Sequence, residues 1–188
     1  MSDLPRFNLL ARLLHWSMAA MILAMLLIGV AMVASLADYH VLVAVHRPLG
    51  LLILLLLFVR IANRWRHPPP PLPADLPAWQ RRAAHASHVA LYGLMLAMPL
   101  VGWAMLSAAC YPVTLVGPFV LPPIMPHSPR AYAVLRELHG VLAYVLFGLV
   151  LAHLGAALLH ALIRRDGVFA SMAPWHRRRS AAGLQADL

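Results

Sequence analysis

Four long apolar runs, each with histidine inside it or at its end, constrain this chain more than any other feature. His15 lies in the first, His46 in the second, His85 and His88 in the third, and His139, His153 and His160 in the fourth. About 20 apolar residues are enough to cross a bilayer as a helix, which satisfies every backbone hydrogen bond internally. An ionisable ring is expensive in the hydrocarbon layer and faces a partner there rather than lipid. The pattern therefore predicts membrane helices bundled around something that imidazoles hold.

Helices are expected from about Leu9 to Leu36, His40 to Asn63, Ala78 to Ala109 and Pro129 to Ile163. Pro48 falls within the first turns of the second helix, where a missing amide costs least. Pro99 falls inside the third and predicts a kink. Between the second and third, Pro68 to Pro71, Pro73 and Pro77 impose an extended connector. Val113 to Met125 is apolar but short, and Gly117, Pro118, Pro122 and Pro123 break it, so an interfacial loop is expected rather than a fifth span. Residues 1–170 read as one four-helix transmembrane domain, and 171–188, with Arg177, Arg178 and Arg179, as a loose basic tail. A cleaved signal around Ala34–Ala37 is not expected. The apolar segment exceeds the roughly 7–15 residues of a signal core, and cleavage would discard His15.

With 62% hydrophobic and 11% charged residues, the chain has too little polar surface for a water-soluble globule, where about a quarter of residues are charged. All 15 basic residues are arginine and the formal net charge is +9, but the arginines flank apolar runs, so they speak for membrane orientation and not for nucleic acid. Twelve lie in the N-terminal, proline-rich and C-terminal segments, against Arg130 and Arg136 in the other two connectors. The positive-inside rule then places both termini and the proline connector in the cytoplasm. The single cysteine, Cys110, excludes an internal disulfide, a Cys-ligated zinc site and an iron–sulfur cluster.

Depth and helical face pair the histidines. His46 and His139 fall near the outer ends of helices two and four, and His15 near the inner end of helix one. His153 follows His139 by nearly four turns on the same face, about 21 Å deeper at 1.5 Å per residue. Two bis-histidine haems, one per leaflet, suit this arrangement: neutral imidazole ligates haem iron, and an apolar macrocycle sits well between helices. Arg47 and Arg136 are candidates for the outer propionates, and Arg60, Arg64 or Arg82 for the inner ones. Gly50, Gly93 and Gly140 are candidates for close approach. His88, His160 and Arg82, with His85, gather at the inner face as a candidate quinone or proton site. The histidines there also stand as alternative ligands to His15. His40, His67, His127 and His176 read as interfacial side chains.

The stretches Arg12-Leu13-Leu14-His15-Trp16, Val45-His46-Arg47-Pro48-Leu49-Gly50, His85-Ala86-Ser87-His88-Val89-Ala90-Leu91-Tyr92 and Leu138-His139-Gly140, with His153 and His160, resemble the bacterial cytochrome b561 family over nearly the whole chain. The resemblance implies an all-α transmembrane four-helix bundle with two haem b, in the bacterial inner membrane. His15 and His153 would hold the inner haem, and His46 and His139 the outer one. It implies a ubiquinone site near the inner haem. It also implies a superoxide:ubiquinone oxidoreductase activity, in which an electron from superoxide outside crosses both haems to ubiquinone. The expected partners are membrane lipid, ubiquinone and superoxide or a periplasmic electron donor. The alternatives are a membrane-anchor and electron-conduit subunit of a dehydrogenase or hydrogenase, and a haem-free, histidine-lined transporter.

Overall fold

Asn8 begins the first helix by accepting the Ala11 amide on its side chain at 2.7 Å, which satisfies one of the orphan N–H groups of the first turn. The computed structural model describes residues 5–114 and 119–173. Helix α1 spans Leu9–Ala34, α2 Tyr39–Arg66, α3 Ala78–Ala108 and α4 Pro129–Leu158. Helix α4 continues as a π-helical turn, Leu159–Arg164, before the short α5, Val168–Met172. Ser128 caps α4 through the Ala131 amide, with Pro129 at the first helical position, where its missing N–H is no loss.

All four long helices are long and apolar enough to cross a membrane. At 26, 28 and 31 residues for α1 to α3, each exceeds the roughly 30 Å of a hydrocarbon core at about 1.5 Å per residue. Their outer faces stay apolar: Leu27 is 71% and Val33 86% exposed, which water would penalise and lipid accepts. The protein's own core is small. Met18 of α1, Ile53, Leu54 and Leu57 of α2 and Met95 of α3 form it, with Met21, Leu49 and Leu91 packed around.

Each helix packs along its neighbour in sequence, α1 on α2, α2 on α3 and α3 on α4. Neither α1 nor α2 approaches α4 with its backbone to a similar extent. The bundle has two ends, a hairpin end with the α1–α2 and α3–α4 connections, and a connector end with the proline segment and α5.

The helices differ from expectation mainly at their margins. Helix α2 runs on to Arg66, so Arg64 and Arg66 sit in its last turn and complement the helix dipole. It also starts at Tyr39, which puts Pro48 more than two turns in. Pro48 thus lies beyond the first-turn positions that need no amide, and the Ala44 carbonyl loses its usual partner. Helix α3 continues through Pro99. Around Gly93 and Gly140 a Cβ would meet open space, and at Gly50 it would stand 3.5 Å from Met25 Cε. The described residues of the Val113–Met125 segment form no helical span, and two short strands pair within them. Val113–Thr114 and Val120–Leu121 pair antiparallel, Val113 opposite Leu121. Trp103 Nε1 donates to the Pro122 carbonyl, and the Ile124 amide to Ser107 Oγ, tying this hairpin across the end of α3.

At the other end the chain closes on itself. Arg6 Nη2 and Arg12 Nη1 donate to the Ala173 carbonyl at 2.7 and 3.3 Å, Trp16 Nε1 to the Met172 carbonyl, and the Phe7 amide to the Ser171 carbonyl. Ser171 and Ala173 are buried, so the first residues assigned to a loose tail are packed against the start of α1. Arg177, Arg178, Arg179 and His176 lie outside the described residues.

Candidate functional site

Two pairs of imidazoles bridge helices whose backbones stay apart. At the hairpin end His46 of α2 faces His139 of α4, with ring centroids 6.2 Å apart and planes at 63°. At the connector end His15 of α1 faces His153 of α4, also at 6.2 Å, with planes at 66°. Two imidazoles sharing one metal, each at about 2 Å, have nitrogens about 4 Å and centroids about 6 Å apart. Both pairs have that spacing, so the residues present fit an axially ligated haem at either level. Among the described residues, no group of three or more His, Cys, Asp or Glu has the arrangement of a bare-ion site.

The hairpin-end pair has sparse surroundings. His46 Nδ1 and His139 Nδ1 are buried without a well-formed hydrogen bond. A Cβ at Gly102 would stand 3.4 Å from His139 Cε1, so the bare backbone of α3 makes room for this ring. Sequence reasoning passed over Gly102, because nothing in a lone glycine identifies the ring it faces. Arg47 donates to the Pro112 carbonyl at 3.4 Å, and Arg136 and Arg130 are exposed.

The connector-end pair is crowded. His88 of α3 adds a third ring, 5.6 Å from His153. Arg60 Nε donates to Tyr92 Oη at 2.9 Å, and the guanidinia of Arg60 and Arg64 lie over the Tyr92 ring at 5.7 and 6.0 Å. Arg60 Nη2 is 3.2 Å from His15 Nδ1. A guanidinium only donates, so in this contact Nδ1 accepts and the ring proton sits on Nε2. Metal on Nε2 requires the opposite tautomer. With iron on Nε2, Nδ1 would carry the proton and could no longer accept from Arg60.

Beside this cluster, α3 and α4 leave a half-open cavity of about 190 Å³, lined by Trp79, Gln80, Ser87, His153 and His160 with alanines between them. Gln80 Oε1 is buried there without a donor. His160 belongs to the π-helical turn, and its Nδ1 lies 2.6 Å from Asp166 Oδ2. Asp166 is fixed further by Arg164 Nε at 3.0 Å and the Val168 amide at 3.2 Å. Burial of Asp166 opposes its charge, but the hydrogen bonds from His160, Arg164 and Val168 prevail and hold its carboxyl below the ordinary range. Arg164 also reaches Asp75 of the proline connector at 3.0 Å.

The six expected cofactor-binding histidines thus divide into the pairs His46–His139 and His15–His153, with His88 beside His153 and His160 across the cavity. Arg82 and His85 are exposed on α3, and neither lines the cavity. His127 is held by the Ala108 carbonyl at 3.0 Å and lies 3.3 Å from Cys110 Sγ. His40 packs on Tyr39, and His67 sits against the Asn63 carbonyl.

Residues 6–175 match the family model described as prokaryotic cytochrome b561. The chain is 33% identical over 129 residues to cytochrome b561 homolog 1 of Escherichia coli (strain K12), covering 69% of this chain and 73% of that protein. It is 31% identical over 171 residues to cytochrome b561 homolog 2 of the same organism, covering 89% and 90%. Against the probable superoxide oxidase CybB of Yersinia pestis, identity is 31% over 137 residues, covering 71% and 75%.

Proposed function

Because the chain belongs to the prokaryotic cytochrome b561 family, whose members are membrane proteins transferring electrons through b-type haem, we propose that it holds two haems and moves electrons from a donor at the hairpin end to ubiquinone at the connector end. His46 and His139 would hold one haem, His15 and His153 the other. A haem held by such a pair of imidazoles would supply one-electron chemistry. The observation that carries this reading is the repeated 6.2 Å imidazole pair at both ends of α4, because such a pair at two levels makes a relay.

The chain's own residues set what each level does. The arginine bias puts the connector end in the cytoplasm, with both termini, and the hairpin end outside the inner membrane. On the outer side Arg47, Arg130 and Arg136 provide positive charge, which favours an anionic donor by steering. Superoxide fits that charge, and one relative carries the name of a probable superoxide oxidase. On the inner side Arg60 and Arg64 supply the charge that propionates need, and His88, His160 and the cavity beside His153 supply the quinone site. Membership of an electron-transfer family displaces the haem-free transporter reading.

The test is haem content and turnover of the purified protein. Two haems per chain, and superoxide-dependent reduction of a short-chain ubiquinone in proteoliposomes, are expected. One haem per chain would overturn the paired assignment. Two haems without superoxide-driven quinone reduction would leave the relay and remove the superoxide donor.

A further inference from the structure

The π-helical turn at the end of α4 is an unusual way to finish a transmembrane helix, and π-helical turns recur at functional sites. Here it changes which residue His160 meets. Arg165 adopts a left-handed backbone at φ 51°, Gly167 another at φ 82°, and between them Asp166 folds back to His160 Nδ1 at 2.6 Å. Arg164 Nε and the Val168 amide occupy the rest of the carboxylate. A regular helix would have carried residue 166 onward and away from the ring.

A carboxylate only accepts, so Nδ1 of His160 must carry a proton and donate it. That commits Nδ1 and leaves Nε2 as the ring nitrogen able to exchange a proton with anything in the cavity. On α3, Gln80 presents a buried Oε1 that lacks a donor; such an acceptor suits the O–H of a hydroquinone, since the carbonyl oxygens of a quinone only accept. The cavity, about 190 Å³, suits one substituted six-membered ring, since about 150 Å³ accommodates benzene.

We infer that Asp166 is a positioning residue that makes His160 the proton-exchanging group for a quinone headgroup bound in the α3–α4 cavity. The inference rests on the quinone reading above and deepens it. Reduction of a quinone to the hydroquinone takes two electrons and two protons. The electrons arrive one at a time through the His15–His153 level. One proton leaves His160 Nε2 for the ring oxygen nearest it and is restored by water at the cavity mouth, and water there supplies the second proton to the far oxygen, so that two electrons and two protons give the hydroquinone. Asp166 keeps the Nδ1 proton in place and stabilises the doubly protonated ring between transfers, as a buried carboxylate does for a catalytic histidine elsewhere. Gln80 Oε1 accepts the O–H that forms on the other side of the ring. The charged groups around His160 are Asp166 and Arg164 on its own segment and Asp75 of the connector through Arg164. From α3 the cavity receives only uncharged side chains, and α5 contributes none with charge.

The test uses the haem-loaded protein, reduced and then mixed with a short-chain ubiquinone analogue. Binding of the analogue is measured at equilibrium, and haem reoxidation is followed by stopped flow across roughly pH 6–9. In Asp166→Asn, binding is expected to stay within about twofold while reoxidation slows by about a hundredfold, the scale of a lost general acid, with an altered pH profile. Asp166→Glu is expected to recover part of the rate. His160→Gln should slow reoxidation as much, and the Asp166→Asn/His160→Gln double variant no further, because both act through one group. Wild-type rates and pH profile in Asp166→Asn would overturn the inference, as would additive losses in the double variant. If Asp166→Asn lost its haem, the Asp166→Glu and His160→Gln rates would decide. A wild-type protein that binds no analogue would sink the quinone reading itself, a distinct result from a quinone-active protein indifferent to Asp166.

Discussion

The hairpin end and the connector end carry the same pair of imidazoles at the same 6.2 Å spacing, yet almost nothing else about them is shared. At the hairpin end two rings meet whose buried Nδ1 atoms make no well-formed hydrogen bond, with a glycine beside them. At the connector end a third ring, two guanidinia and a phenol crowd the pair, and a cavity opens alongside. Equal ligand geometry with unequal surroundings separates two tasks. The imidazole pair decides what is gripped. The surroundings decide potential, access and protons. On the proposed reading, the hairpin end need only pass an electron, whereas the connector end must pass electrons to a molecule that also needs protons.

The sharpest way to break the comparison is to remove ligands. His46 has His139 as its ring partner, so His46→Ala is expected to lose the haem at that end, about half of the total by haem quantitation. His153 is the shared partner of His15 and His88, and His153→Ala should likewise abolish the connector-end haem. His15→Ala differs, because His88 remains 5.6 Å from His153 and can stand in. Partial retention with an altered reduced-minus-oxidised spectrum is expected, and His15→Ala/His88→Ala should remove the remainder. Equal losses in His15→Ala and His46→Ala would show that His88 is no spare and that the two ends are more alike than their surroundings suggest.

The next effect is electrostatic. Arg60 is 3.2 Å from His15 Nδ1 and bonded to Tyr92. Replacing it by methionine removes a positive charge beside one pair only. A positive neighbour favours the reduced iron, so Arg60→Met should lower the connector-end midpoint potential by on the order of tens of millivolts, the scale of a partly screened charge. The hairpin-end potential should hold in a redox titration. Smaller still is Gly102. Alanine there would place Cβ 3.4 Å from His139 Cε1, an ordinary contact, and should be tolerated. Gly102→Leu has no such room, and displacing an axial ring should weaken haem retention at the hairpin end roughly tenfold.

Sequence carried far because the bilayer simplifies the problem. Hydropathy over four runs defines the spans, and a 14-residue interval on one helix defines two levels, so the pair His46–His139 was legible from depth and face, whereas on the inner half His85, His88 and His160 stood beside His15 and His153 as candidates. What escaped depended on local departures from regular helix. Asp166 follows His160 by six residues, a spacing that puts the two on different faces of an α-helix, and only the π turn and two left-handed residues join them. Gly102 carries no chemistry until the ring opposite it is known. Gln80 looks like an ordinary polar residue near a helix start, because its buried, donorless oxygen is a property of packing.

The mildest contrast between the ends concerns pH. Among the described residues only the connector end has a part-buried carboxylate whose charge the fold supports, Asp166, with a side chain 11% exposed. Its folded carboxyl lies below the ordinary range, so the group favours the folded state above the unfolded carboxylate range, near pH 4. That contribution fades as acid drives the pH down through the lower, folded value. The loss should be local. Protonated Asp166 releases Arg164 and the Val168 amide, so amide exchange from Leu159 to Met172 should quicken at low pH before α1, α2 or the hairpin end responds. Asp166→Asn should abolish this acid dependence while already showing faster exchange in the same segment at neutral pH. Exchange that rises in step at both ends of the bundle would mean the carboxylate supports the whole fold, and the separation of the two ends would then be one of chemistry alone.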